Sequence, residues 1–166
     1  MKAIFAGTFD PFTTGHRNVA ERALSVFGAL TIAVAADTGK KTASLSDRVK
    51  IAELSVPGLC GVEVVPFSGL LSDFVVASVN SGEKCVLVRG IRNTRDFEYE
   101  RELCSVYRSL CGVDAAHFFT LPELMHVSST TVRELAALGN IPNGYVVADA
   151  YSAVCDIYGG KTAAKR

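Results

Sequence analysis

Gly7-Thr8-Phe9-Asp10-Pro11-Phe12-Thr13-Thr14-Gly15-His16 stands between a short apolar run, Lys2-Ala3-Ile4-Phe5-Ala6, and a segment with helical periodicity. The run before it suits the first strand of a sheet covered on both faces. In the segment after it, Val19, Ala20, Ala23, Leu24 and Phe27 recur at helical spacing opposite Arg17, Asn18, Glu21, Arg22 and Ser25, and Gly28 supplies the stop. Strand, polar turn and helix make a phosphate-site geometry, because free N–H groups and the positive end of the helix dipole favour an anion at the helix start. Thr8, Thr13 and Thr14 add hydroxyl donors, and Gly7 and Gly15 allow close backbone approach. His16 begins the helix where a phosphate would sit, and as a donor it could stabilise charge developing on a transferring phosphoryl oxygen. Taken alone, the stretch also reads as an Asp10-Pro11 turn with threonines capping a helix and His16 as a partly exposed first-turn residue.

Outward from this stretch the alternation repeats. Leu30 to Ala36 reads as a second buried parallel strand, ending in the polar loop Asp37-Thr38-Gly39-Lys40-Lys41. Ser46 caps a helix through about Ser55, Pro57-Gly58 stops it, and Val62 to Val65 is strand three. Phe67 to Leu71 leads into a helix closed by Asn80-Ser81-Gly82, and Lys84 to Val88 is strand four. Thr94 or Asp96 caps a helix to about Cys111, with Tyr99, Leu103, Val106, Tyr107 and Leu110 on its apolar face. Ala115 to Leu121 is strand five, Ser128-Ser129-Thr130-Thr131 opens a short helix to about Leu138, and Tyr145 to Tyr158 is the last helix.

Five strands alternating with helices predict a single-domain, doubly wound, Rossmann-like α/β fold: a parallel sheet with helices on both faces and a C-terminal helix. The domain is expected over 1–158, with 159–166 a flexible basic tail. Ligands in such sheets bind outside the carboxyl ends of the strands, so His16, Lys40, Leu70, Arg89 and Ser129 are expected on one rim.

At 166 residues, nearly half of them hydrophobic, the chain fits one domain with a sizeable core. Lysine plus arginine equals aspartate plus glutamate at 17 each, so net charge gives no reason to expect nucleic acid or an anionic membrane as partner. No apolar run is long enough to span a bilayer and no signal-peptide layout is present, so a cytoplasmic protein is expected. Five cysteines, Cys60, Cys85, Cys104, Cys111 and Cys155, form no C-x-x-C pair and are read as small core residues, with no metal site. His117 inside strand five is read as packing, and His126 is left open.

Arg89 and Arg92 flank Gly90, and a strand-terminal arginine pair can fork onto phosphate oxygens. Arg95 is left as surface. A first-turn carboxylate of the following helix can accept from a ribose hydroxyl or an adenine amine. Ser128 to Thr131 offer hydroxyls and unpaired N–H groups at another helix start, where ordinary capping is the plain alternative.

G-T-F-D-P-F-T-T-G-H resembles the G-x-F-D-P-x-[T/H]-x-G-H signature of the nucleotidyltransferase superfamily, and within it the chain is most similar to the bacterial phosphopantetheine adenylyltransferase family. The similarity extends through the Lys40-Lys41 loop, V-E-V-V-P-F-S-G-L-L, L-V-R-G-I-R-N-T-R-D-F-E-Y-E and V-S-S-T-T-V-R. It implies adenylyl transfer from ATP to 4′-phosphopantetheine, giving dephospho-coenzyme A and pyrophosphate with Mg²⁺ carried by the ATP phosphates, in a homohexamer. It assigns His16 and Lys40 to catalysis and Thr8, Lys40, Leu71 and Arg89 to phosphopantetheine. It places ATP against Thr8, Phe9, His16, Gly90, Ile91, Arg92, Glu100 and the segment Leu124, Met125, His126, Val127, Ser128, Ser129 and Thr130. The chain departs from the family pattern at Gly69, at Thr42 and in Leu124-Met125-His126.

The alternatives are a transferase of the same superfamily with another acceptor and a nucleotide-binding regulatory module without turnover. A dinucleotide-binding dehydrogenase is disfavoured because the first turn lacks G-x-G-x-x-G.

Overall fold

The structure, a computed structural model, describes residues 1–39, 41–79 and 84–159. The strands are β1 (Lys2–Gly7), β2 (Leu30–Ala35), β3 (Val62–Phe67), β4 (Cys85–Ile91) and β5 (Asp114–Phe119). Between and after them run α1 (Thr14–Phe27), α2 (Leu45–Leu54), α3 (Leu71–Ser78), α4 (Thr94–Cys111), α5 (Ser129–Ala137) and α6 (Tyr151–Tyr158). Two 3-10 turns, Pro122–Leu124 and Ala148–Ala150, precede α5 and α6.

The sheet order is β3-β2-β1-β4-β5 and every pair is parallel. The chain therefore winds outward from β1 to β3, then returns to β1's other side with β4. Loops after β1 and β4 leave the sheet at this reversal, which opens a crevice at their carboxyl ends.

Strand alternation divides the interior in two. Ala3 and Phe5 join a large cluster with Val19, Ile32, Ile51, Val132 and Val154, drawn from the sheet and from α1, α2, α5 and α6. Ile4 and Ala6 point the other way, into a smaller cluster with Ala33, Val75 and Leu87 under α3 and α4. No helix among the described residues is long and apolar enough to cross a membrane.

Several boundaries differ from the sequence reading. Strand four runs on through Arg89 and Gly90 to Ile91, because Arg89, Gly90 and Ile91 pair with His117, Phe118 and Phe119 of β5. Ser44 rather than Ser46 caps α2, accepting from the Asp47 N–H, and Asn93 rather than Thr94 or Asp96 caps α4. The last helix starts at Tyr151, since Tyr145 to Val147 are committed to other contacts and a 3-10 turn intervenes. The cysteines are not core residues: Cys60 is exposed and Cys85, Cys104, Cys111 and Cys155 are half-buried, three of them packed at the margins of the two clusters. Along α4, Tyr99, Val106 and Leu110 are exposed, so the apolar stripe read in sequence is not fully covered. Of the tail expected over 159–166, Gly159 caps α6, its N–H donating to the Cys155 carbonyl, and 160–166 lie outside the described residues, as does the stop at Asn80-Ser81-Gly82.

Candidate active site

The loop after β1 is shaped by its aromatic residues. Phe9 is held at φ 47°, in the left-handed region that a bulky side chain rarely occupies, while its ring is buried edge-on against Phe5 with centroids 5.2 Å apart. Gly7 is required by this packing, because a Cβ there would sit 3.0 Å from the Phe9 ring. Burial of Phe9 and Phe12 thus turns the backbone back towards α1, and the next residues cap that helix.

Thr13 is the cap. Its hydroxyl accepts from the His16 N–H, and in return the Thr13 N–H donates to His16 Nδ1 at 3.0 Å. An Nδ1 that accepts leaves the imidazole proton on Nε2. The ring lies among Phe5, Phe9 and Phe12, 5.2 to 6.1 Å between centroids, and this burial, aided by the positive charge of Arg92, pushes the His16 pKa down to about 4. At neutral pH His16 is an uncharged imidazole whose one ring N–H is on Nε2.

A cleft of about 510 Å³ opens over this loop, within the range of small-molecule sites. Of the residues selected by sequence, Thr8, Phe9, His16, Arg89, Gly90, Arg92, Glu100, Val127, Ser128, Ser129 and Thr130 line it together. The N-termini of α1 and α5 both face the cleft, so two sets of helix-start N–H groups converge there. Gly90 stands where β4 meets α1, and a Cβ there would come within 3.1 Å of Val19.

The hydroxyls divide into two groups. Thr14 donates to the Gly144 carbonyl at 2.6 Å, Thr13 is used in its cap, and Ser129 donates to the Pro11 carbonyl at 2.8 Å. These three hold the loops, contrary to the reading of Thr13 and Thr14 as ligand donors. Ser128 caps α5, and Thr8 lines the cleft with its carbonyl held by Arg48.

The charged wall is built in pairs. Arg89 points to the α4 side of the sheet, where Nε and Nη2 meet the two oxygens of Glu100 at 2.6 Å each and Nη1 donates to the Ala6 carbonyl at 3.0 Å. Fork-to-fork pairing fixes the guanidinium and leaves part of its donor edge for a ligand. Glu100 sits in the second turn of α4 rather than the first, which is what lets it reach back to Arg89. Arg92 and Asp96 form a second pair, at 3.0 Å, on the same wall.

Five selected residues do not line the cleft. Leu71 begins α3 and packs with the small cluster, Ile91 is buried at the end of β4, and Leu124, Met125 and His126 lie in and after a 3-10 turn, where His126 packs on Tyr145. Lys40 lies outside the described residues; its neighbour Lys41 lines the cleft.

Sequence reasoning passed over Asp10, Arg48 and Arg133. Asp10 and Arg133 line the cleft, joined by a hydrogen bond from the Arg133 guanidinium to the Asp10 carbonyl. Arg48 is 1 % exposed and donates to three carbonyls, Thr8 and Ala35 at 2.7 Å and Ala43 at 3.0 Å. The available signal was its register: Leu45, Arg48, Ile51, Ala52 and Ser55 share the inward stripe of α2. No group of three or more potential metal-ligating side chains occurs among the described residues, and Asp10, Asp96 and Glu100 are each committed to protein donors.

An anion-receptive cleft at a sheet reversal, with a neutral imidazole donor, suits phosphate-group chemistry. Residues 4–135 match the family model described as cytidylyltransferase-like. Phosphopantetheine adenylyltransferase of Legionella pneumophila (strain Lens) is 45% identical over 140 residues, covering 83% of this chain and 80% of that one. The proteins of that name from Moorella thermoacetica and Nitrosomonas eutropha are 36% identical over 159 residues (95% and 97% covered) and 40% over 148 (87% of each). Among solved structures, a bifunctional NMN adenylyltransferase/ADP ribose pyrophosphatase from Francisella tularensis superposes with a TM-score of 0.69 at 17% identity. That match covers 93% of this chain and 48% of the bifunctional protein, and it bears on the fold alone. With the signature loop, the cleft and these relatives in agreement, the chain belongs to the cytidylyltransferase-like family and, within it, to the phosphopantetheine adenylyltransferases.

Proposed function

We propose that this chain transfers the adenylyl group of ATP to 4′-phosphopantetheine, yielding dephospho-coenzyme A and pyrophosphate. The observation that carries the mechanism is the neutral, Nε2-protonated His16 at the start of α1, inside a cleft walled by fixed arginines. A phosphate oxygen of the acceptor attacks the α-phosphorus of ATP, a P–O bond forms, and the α–β bridging bond breaks with its electrons leaving on pyrophosphate. No protein nucleophile is needed. His16 donates to an α-phosphate oxygen as charge builds on it, and the helix N-termini and Arg92 stabilise the leaving pyrophosphate. Arg89, locked by Glu100, and Thr8 orient the acceptor phosphate, with Lys40 assisting.

Mg²⁺ enters as part of the substrate, on the ATP phosphates, which accords with carboxylates already engaged by protein donors. A homohexamer in the cytoplasm completes the proposal, and the exposed Tyr99, Val106 and Leu110 along α4 support an assembly.

Pyrophosphate release from ATP and Mg²⁺, measured with and without 4′-phosphopantetheine and with dephospho-coenzyme A identified as product, tests the reaction. Release that depends instead on nicotinamide mononucleotide or another phosphate acceptor would sink this choice of substrate; ATP binding with no release under any acceptor would make the chain a regulatory module. His16→Ala is expected to lower kcat by about 10²- to 10³-fold, as for loss of one transition-state donor, with the fold retained by circular dichroism.

A further inference from the structure

The loop over the cleft is held from the far end of the chain, by a residue beyond the segment 4–135 that the family model matches. Asp10 is buried, and its Oδ1 accepts from the Tyr158 hydroxyl at 2.6 Å and from the Ala43 N–H at 3.1 Å. Its Oδ2 lies 3.5 Å from the Arg133 guanidinium. Arg48 takes the opposite side of residue 43, donating to the Ala43 carbonyl. Both backbone groups of Ala43 are therefore pinned by buried side chains, and Lys41 and Thr42, just before it, line the cleft.

Tyr158 is placed firmly enough to act. Its ring packs against the large cluster, in which Val154, one turn earlier on α6, is fully buried. Burial and the hydrogen bond to Asp10 raise the phenol pKa far above its ordinary value, so the hydroxyl is a standing donor and not a nucleophile.

Resting on the reaction proposed above, we propose that Tyr158 is a positioning residue: through Asp10 it fixes the Lys41–Ala43 edge and Arg133 on the cleft, making the last helix part of the transfer machinery. A carboxylate carrying both the phenol and the Ala43 amide on one oxygen keeps its other oxygen turned to Arg133. Removal of the phenol frees it to rotate towards the cation, and the Ala43 edge is released. Displacements on the order of 1 Å at a phosphoryl-transfer site cost up to about 10²-fold in rate.

Tyr158→Phe keeps the ring and removes the hydroxyl. The expected result is a kcat/KM about 5- to 30-fold lower, at a temperature where the variant is fully folded, with faster amide exchange at Ala43. In an Asp10→Ala background the same change has no further kinetic effect, because the link is already cut. Should Asp10→Ala not fold, the kinetics and Ala43 exchange of Tyr158→Phe decide alone. A wild-type kcat/KM in Tyr158→Phe, unaltered Ala43 exchange, or losses that multiply in the double variant each overturn the proposal. A wild-type chain that releases no pyrophosphate overturns the reaction instead, and Ala43 exchange then remains the test of the link.

Discussion

The two faces of the sheet are built to different depths. On the face covered by α1, α2, α5 and α6, the large cluster includes rings from the signature loop itself, Phe9 and Phe12, together with side chains from all four helices. On the face covered by α3 and α4, the buried set is Ile4, Ala6, Ala33, Val75 and Leu87, and α4 contributes Glu100 as its one buried residue. The dense face immobilises the loop that carries His16. The thin face supplies Arg89 and Glu100, which fix each other by charge and hydrogen bonds where apolar packing is sparse. One wall of the cleft is thus positioned by packing, reinforced by the Asp10–Arg133 pair and by Arg48, and the other by ion pairs where packing is sparse.

The strongest way to break this contrast is at Arg48, the polar anchor of the dense face. Arg48→Ala leaves the Thr8, Ala35 and Ala43 carbonyls without their donor and opens a cavity, so a loss of about 3–5 kcal/mol in unfolding free energy is expected by urea denaturation. Arg48→Met restores most of the volume but none of the donors and is expected to recover less than half of that loss. If Met restores nearly all of it, Arg48 acts by filling its site, and the three carbonyl hydrogen bonds contribute little to the dense face.

His16 belongs to the dense face, and its pKa gives a second test. An imidazole near 6.5 in the unfolded chain and about 4 in the folded one binds more protons unfolded over that interval, so stability rises with pH through it. The contribution is complete above about pH 6.5 and is lost as pH falls towards 4, at most about 3 kcal/mol. Subtracting the stability-pH curve of His16→Ala from that of the native chain isolates this limb from the carboxylates. A difference that stays flat between pH 6.5 and 4 would remove the burial argument for a neutral donor.

How far the sequence reaches follows the same division. The alternation of strands and helices and the signature loop are written in local periodicity and in glycine, proline and capping signals, so they are legible. His16 at the third helical position was legible too, as were Arg89, Gly90 and Arg92 on the rim. What escaped depends on partners remote along the chain. Thr14 looks like a phosphate donor until Gly144 takes its hydroxyl, Asp10 looks like a turn residue until Tyr158 reaches it, and Arg48 belongs to no motif until three carbonyls surround it. The cysteines misled because small polarisable side chains suit a core margin as well as its centre, and composition does not separate the two.

A matched pair of truncations sharpens the comparison further. Val132 on α5 and Val75 on α3 are both essentially inaccessible, yet they belong to the large and the small cluster respectively. The lost transfer energy is the same, so any difference reports how well each surrounding can collapse. Val132→Ala is expected to cost about 2–3 kcal/mol and Val75→Ala about 1–2, read from urea midpoints at unchanged slope. Equal losses would mean that the thin face is packed as tightly as the dense one despite its smaller buried set.

The smallest effect is expected on the outer surface of the thin face, at Leu110. Its side chain is 59% exposed on α4, near Val106 and on the same helix as Tyr99, both also exposed. Leu110→Ser removes an apolar side chain that the isolated chain does not bury, so the unfolding free energy at low protein concentration is expected to stay within about 0.5 kcal/mol of the native value. If the stripe is covered by a second copy of the chain, the cost appears only through association. The native Tm then rises with protein concentration, and the Ser variant loses that rise, because a partner that binds only the folded state stabilises it by mass action. A Tm lowered equally at every concentration would instead place Leu110 in the interior of a single chain, and the thin face would have to be redrawn as a second core.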